Sequence, residues 1–337
     1  MERCSSSRTG FFVLSLLACG VVGCAPAAPL PPSETPRAER PAAPASPAPT
    51  WTWPDDKVGE FWRRLHAGKS LKPTTWPNGA TVAVALSFDY QMGSIYEPNP
   101  AASTSTNSEY DGRVGLPRIL ATLDKHQVPA SFFTTGVTAA FFPETLRLIM
   151  ASGRHEIGVH GWIHERTTDV PADDEKRLLQ KAVDAIEKVT GKKPAGYRSP
   201  SWEFSAHTVG FLRELGFLYD SGMMADDDPY EIVAEGQPIG LVEIPVEWVR
   251  DDAMYYVRQG PQTPDDFFGV MKAEFDKAYE EHGLFQVTMH PRISGHRSRA
   301  LGLDRFIAYL KTRPGVWFAT HEEVARHVRQ GISTPPR

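Results

Sequence analysis

The sequence predicts one α/β domain built as a parallel barrel, and three observations predict it. From Trp51 onward, short apolar runs alternate with amphipathic helical patterns. Strand-then-helix units repeated over about 250 residues point to one parallel barrel rather than separate domains. The apolar runs are nearly continuous instead of alternating, as expected of strands covered on both faces. Four ionisable residues, Asp89, His160, Arg198 and His290, each stand directly after one of those runs. The carboxyl ends of parallel strands converge on one face of a barrel, which is where such folds place their chemistry.

Taken in order, residues 82–88 form the first strand-like run. Residues 116–126 read as a helix and 130–134 as a strand; a further helix falls within 142–152, with a strand at 156–159 behind it. The clearest helix spans 174–189, where Leu178, Leu179, Ala182, Val183 and Ile186 form an apolar stripe and Gly191 sits just past the end. A short strand near 195–197 follows, then a helix over 205–215 closed by Gly216, a strand near 217–219 and a β-branched run at 242–246. Thr263 and Pro264 supply an N-cap and a first-turn proline to a helix reaching 278. Residues 284–289 read as strand, 303–310 as helix and 316–318 as strand. Thr320-His321-Glu322-Glu323 has the capping-box pattern that opens a last helix.

The first fifty residues are not part of this pattern. Residues 1–8 carry Arg3, Arg8 and Glu2, and residues 11–23 form an apolar run of thirteen, too short to span a bilayer core and suited to a signal-peptide core. The run ends in Val21-Val22-Gly23-Cys24, which resembles the lipobox of bacterial lipoproteins, with Cys24 as the lipidated residue; Leu16-Leu17-Ala18-Cys19 is a second such box that leaves a shorter apolar run. The expected organisation is a lipoprotein leader at 1–24, a spacer rich in proline and alanine at 25–50 and the catalytic domain at 51–337. The expected location is the cell envelope, with a lipid anchor on the membrane. All three cysteines (Cys4, Cys19, Cys24) lie in the leader, so the domain has no thiol for a disulfide or a nucleophile. The composition, 41% hydrophobic and 23% charged, is that of a globular protein, and a net charge of -5 offers no basic footprint for nucleic acid.

His160 and His164 stand behind the strand at 156–159. A spacing of i, i+4 puts two imidazoles on one side of a helical turn, close enough to share a metal ion. Alone, such a pair reads equally well as a polar helix face. Its company at the other strand ends is what singles it out.

From about Thr81 to Val328 the chain resembles the polysaccharide deacetylase superfamily (the NodB-homology domain, carbohydrate esterase family four), in particular the branch of peptidoglycan deacetylases and allantoinase-like or cyclic-imide hydrolases. Five segments in order carry the resemblance: Ser87-Phe88-Asp89-Tyr90, His160-Gly161-Trp162-Ile163-His164, Arg198-Ser199-Pro200-Ser201-Trp202, Asp220-Ser221 and Met289-His290-Pro291. Trp202-Glu203-Phe204-Ser205, Asp226-Asp227-Asp228-Pro229-Tyr230 and Val242-Glu243-Ile244-Pro245 resemble the branch. The resemblance implies a distorted (β/α)7 barrel and hydrolysis of a non-peptide C–N bond assisted by a divalent metal, zinc above all, on His160 and His164. It implies Asp89 as general base, Arg198 holding that carboxylate, and His290 as general acid. Trp202, Tyr90 and Pro200 would line the substrate site.

One position departs from the pattern. Where the branch places an acidic metal ligand, two residues after the base, this chain has Gln91. An amide carbonyl can ligate a metal but brings no charge and binds more weakly than a carboxylate. Either Gln91 holds the metal weakly, or another acid such as Asp228 or Glu97 moves in, or the site works without metal as in allantoinase-like relatives. The expected function is removal of N-acetyl groups from an envelope glycan such as peptidoglycan. The alternatives are hydrolysis of a small amide, ureide or cyclic imide, and a non-catalytic glycan-binding lipoprotein.

Overall fold

The structure is a computed structural model that describes residues 49–331 apart from 97–99, 259 and 261. The leader and spacer, with Cys19 and Cys24, lie outside the described residues but for positions 49 and 50. The chain separates into two units, Met1–Thr52 and Trp53–Arg337; the described part of the first contains one short turn, Thr50–Thr52.

The second unit is a curled, mostly parallel sheet with helices packed on it. Its strands are β1 (Leu65–Ser70), β2 (Val82–Tyr90), β3 (Ser131–Thr134), β4 (Glu156–Val159), β5 (Gly196–Tyr197), β6 (Tyr219–Asp220), β7 (Tyr230–Ala234), β8 (Gln237–Glu243), β9 (Leu284–Met289) and β10 (Val316–Phe318). Seven of them run parallel in the spatial order β9-β2-β3-β4-β5-β6-β8. β10 shares an edge of β2 with β3, pairing at Val82–Val84 while β3 pairs at Ser87–Tyr90. Past β8 the chain reaches back to β9 through one parallel bridge, Asp251↔Thr288. This is the distorted (β/α)7 arrangement, extended beyond β8 by antiparallel β7 and β1.

Strand β2 shows how the sheet is built. All nine of its residues are buried. The side chains of Val82, Val84, Leu86, Phe88 and Tyr90 enter the apolar layer shared with helices Leu116–His126, Ala172–Thr190 and Pro264–Glu280, whereas Ala83 and Ala85 join a second cluster with Phe133, Tyr219 and Val242. Successive side chains point to opposite faces of a strand, so Ser87 and Asp89 continue the second set.

Most elements coincide with the patterns in the sequence, including the helix Leu116–His126 and the capping boxes at Thr263 and Thr320. The β-branched run at 242–246 is strand only to Glu243, and the strand starts earlier, at Gln237. It is the second arm of a hairpin turned by Glu235 and Gly236, both at positive φ (50° and 73°), a two-residue turn whose twist suits a β-hairpin.

Candidate active site

Asp89 is the next-to-last residue of β2 and is 3% exposed, inside the curl of the sheet. It meets Arg198, the residue after β5, whose side chain is wholly buried. Nη1 of Arg198 donates to Asp89 Oδ1 at 2.7 Å and to Ser87 Oγ at 2.9 Å. Its Nε and Nη2 donate to the Ser221 carbonyl and hydroxyl, both at 2.8 Å, and the guanidinium carbon lies 4.0 Å from the centre of the Phe133 ring. Every guanidinium nitrogen therefore has an acceptor, as a buried arginine requires. Burial pushes the Asp89 carboxyl up, but Arg198, with His160 and His290, outweighs it and holds the group at about 2. Asp89 is ionised at any working pH.

His290 follows β9 and faces the same cavity. Its Nδ1 lies 2.8 Å from Asp252 Oδ1, and its backbone N–H donates to Asp252 Oδ2 at 3.0 Å. Ser294 Oγ donates to that second oxygen at 2.5 Å. Asp252 accepts only, so Nδ1 carries a proton and Nε2 is the nitrogen left to act. Burial drives the imidazole down, but the charge and hydrogen bond of Asp252, then Asp251, overcome it and raise the His290 pKa. Asp252→Asn keeps the shape and removes the charge, so His290 should lose its proton at lower pH. The expected result is an alkaline limb of the kcat/KM profile that moves to lower pH, and an unmoved limb would remove His290 from the acid's role.

The histidine pair is held differently from the helical spacing expected. Residues 160–166 form an irregular loop, not a helix. Gly161 sits at φ 69° and His164 at φ 70°, and a Cβ on Gly161 would meet Pro200 Cγ at 2.8 Å. The Glu165 carboxylate closes the loop by accepting the backbone N–H groups of Trp162 (2.9 and 3.0 Å) and Ile163 (2.7 Å). The loop still brings the rings together, with centroids 5.0 Å apart, and His160 Nε2 lies 3.8 Å from Asp89 Oδ2.

A divalent cation fits part of this set. His160 donates Nδ1–H to the Arg198 carbonyl at 2.9 Å, which leaves Nε2 with a lone pair, the tautomer that binds metals. Burial lowers the His160 pKa to about 4 and places that of His164 well below the ordinary value, so both rings are neutral. Gln91 has the right donor type, but its Oε1 already accepts Tyr96 Oη at 2.6 Å and Nη1 of Arg292. Its Nε2 donates at 2.9 Å to His160 Nε2, so the amide fills the lone pair that a metal would take. Among the described residues, one group of three acidic or imidazole side chains brings its donor atoms within 4.8 Å of one another and could hold a metal ion: Asp251, Asp252 and His290. Asp228 cannot replace Gln91. It accepts the backbone N–H of Leu284 at 2.8 Å, where β9 begins, and pairs with Lys72 at 2.8 Å, at the opposite end of the strand from His290. Glu97 lies outside the described residues.

The cavity that collects these groups has a volume of about 190 Å³ and is also lined by Tyr96, Trp202, Trp248, Asp251, Arg258 and Arg292. Two expected substrate contacts lie elsewhere. Tyr90 is fully buried on the helix-facing side of β2, its hydroxyl toward Met92 Sδ (3.4 Å), because it is one residue out of phase with Asp89. Pro200 is buried under Gly161, shaping the loop rather than lining the cavity. Trp202 does line it, but its ring packs tilted at 33° against Trp248 with centroids 4.3 Å apart, and only 8% of the residue is exposed. Trp248, Tyr96, Asp251, Asp252 and Arg292 had no signal in a single sequence beyond the adjacent acids at 251 and 252.

The sequence profile of the family described as "Polysaccharide deacetylase" matches residues 79–219. The peptidoglycan deacetylase of Helicobacter pylori is 32% identical over 247 residues, covering 64% of this chain and 84% of that protein. A crystal structure from Mycobacterium smegmatis assigned to the polysaccharide deacetylases is 36% identical, with a TM-score of 0.73 over 81% of this chain and 98% of the other. That of Puue allantoinase is 27% identical, with a TM-score of 0.69 over 75% and 91%. The family profile spans the strands that carry Asp89, His160 and Arg198, and with the bacterial relative and the crystal structure it shows that the chain belongs to the polysaccharide deacetylases, hydrolases of carbon–nitrogen bonds other than peptide bonds.

Proposed function

We propose that this enzyme removes N-acetyl groups from an envelope glycan, peptidoglycan above all, with Asp89 and His290 as its base and acid. The observation that carries the reading is a pair of buried dyads on one cavity: Asp89 near the end of β2, held by Arg198, and His290 after β9, held by Asp252. Asp89 accepts a proton from the attacking water as its oxygen bonds to the amide carbon. His290 gives its Nε2 proton to the leaving nitrogen as the C–N bond breaks, and acetate and a free amine result. Arg198 keeps the Asp89 carboxylate ionised and aimed. When bound, a divalent cation, zinc by preference, on His160, His164 and Gln91 would supply Lewis-acid polarisation of the amide carbonyl. A lipid anchor at Cys24 and a spacer to residue 50 would set the domain beside cell-wall glycan, which favours that substrate.

The size of the cavity supports a second reading. About 190 Å³ is below the usual ~300–1,000 Å³ of a ligand pocket. It takes an acetamido group or a small ring, while a glycan strand would lie across its mouth against Trp248. Small amides, ureides and cyclic imides fit inside it entirely, and likeness to an allantoinase agrees. Purified protein should release acetate from N-acetylglucosamine oligomers or peptidoglycan and leave hydantoin-type imides intact. Turnover of the imides without acetate release would exchange the two readings.

A further inference from the structure

Gln91 Oε1 is an amide carbonyl with two lone pairs, and both are engaged. Tyr96 Oη donates at 2.6 Å, and Nη1 of Arg292 donates to the same atom. Because Arg292 can only donate, the atom facing it is the oxygen, and the amide nitrogen is turned to His160. Arg292 is braced in this position. Its guanidinium lies 5.4 Å from the centre of the Tyr96 ring, which itself stands 4.8 Å from the His164 ring. Its backbone belongs to the short helix Pro291–Ser294, which is tied by Ser294 to Asp252 and packs so closely on Gly115 that a Cβ there would meet the Pro291 carbonyl at 2.2 Å. Beneath it, the buried Asp111 carboxylate accepts the Gln91 backbone N–H at 3.0 Å and supplies a nearby counter-charge. A fixed positive charge thus holds the carbonyl oxygen that a metal would need away from the histidines, and the Gln91 amide N–H occupies the lone pair of His160 Nε2 in its place.

We propose that Arg292 is a built-in rival of the divalent cation for the Gln91 carbonyl, so that the His160–His164 metal site is complete only while the guanidinium is withdrawn. Of the two donors on Oε1, Tyr96 is neutral and Arg292 is charged; like charges at contact distance repel, so Arg292 is the group that must leave. The backbone at 292 is fixed, so the exchange is a movement of the Arg292 side chain toward the cavity mouth, which frees the Gln91 amide to turn its oxygen in place of its nitrogen toward His160. The site would then bind metal weakly and reversibly, with an affinity set by the arginine as much as by the missing carboxylate. The inference rests on the hydrolase reading only in taking His160 and His164 as the metal-facing pair.

Titration of the metal-stripped full chain with Co²⁺, followed by the visible absorption of the bound ion, and with Zn²⁺ in competition, tests this without substrate. Arg292→Ala should lower the Kd at least tenfold relative to wild type, with Arg292→Lys in between. Gln91→Ala in the Arg292→Ala background should abolish the gain, as should His160→Ala. Thermal unfolding of each variant, followed by circular dichroism, shows that the fold is kept. Equal affinity in wild type and Arg292→Ala, tightening by Tyr96→Phe instead, or a gain that survives His160→Ala because the ion sits at Asp251, Asp252 and His290, would each overturn the proposal. Failure to release acetate, with the tenfold gain intact, would count against the glycan assignment alone.

Discussion

Asp89→Asn should lower kcat on the true substrate by about 10²–10⁴-fold, the usual contribution of a positioned base. The substitution keeps an oxygen for the 2.7 Å bond from Arg198 and takes away the proton acceptor. Substrate binding should change far less than kcat, because the carboxylate is buried against protein and one of its oxygens is already committed. Single-turnover rates beside circular dichroism of the folded variant make the measurement. A variant that keeps more than a tenth of wild-type kcat would show that the proton goes elsewhere, with Asp251 the next carboxylate on the cavity. The pH profile offers a second check. With Asp89 held at about 2, activity should show no acid limb from this residue above pH 3.

Arg198→Ala should be the most destabilising single change in the site, at about 3–5 kcal/mol, the range for breaking a buried ion pair on one side. For a domain of this size that corresponds to a fall in Tm of roughly 10 °C. The loss has two parts. Asp89 would stay buried without its counter-charge, and the Ser87, Ser221 and Phe133 contacts would face a void. The sign of the pH effect follows from the same pair. Asp89 lies below its ordinary 3.8 in the folded protein, so the pair contributes stability that is fully present above pH 3.8 and lost as pH falls through about 2. Without Arg198, burial dominates and the Asp89 pKa rises. The variant should therefore lose activity toward acid at a higher pH than wild type. Denaturant unfolding between pH 2 and 7 measures both effects, and a stability difference that does not shrink toward pH 2 would mean that packing alone is at stake.

Strands, helices and the strand-end residues were readable because burial leaves a periodic mark in the chain. Residues 82–88 could hardly be anything but a covered strand, and the residue after such a strand lies on the open face of the sheet. β1, with the composition Leu-His-Ala-Gly-Lys-Ser, left no such mark, since it is an edge strand whose side chains are mostly exposed. The His160–His164 spacing suits a helical turn, but the segment is a loop. Local spacing cannot reveal that Glu165 accepts the backbone N–H groups of Trp162 and Ile163, or that Pro200 sits where any Cβ on Gly161 would go. Asp252 was invisible for another reason. It reaches His290 across 38 residues, next to a bridge between Asp251 and Thr288 that exists only once the sheet curls.

Composition and periodicity were enough to place Asp89, His160, Arg198 and His290 at the ends of parallel strands, because the alternation of apolar residues is a local property that hydrophobic burial reads directly. Which groups share protons and lone pairs there was settled by the folded chain. Gln91 has two lone pairs on its carbonyl oxygen, and only the meeting of Tyr96, Arg292 and His160 around it decides which partners they serve. Hydrogen bonds and charges act over a few ångströms between residues far apart in the chain, and those distances come into being only when the sheet closes on itself.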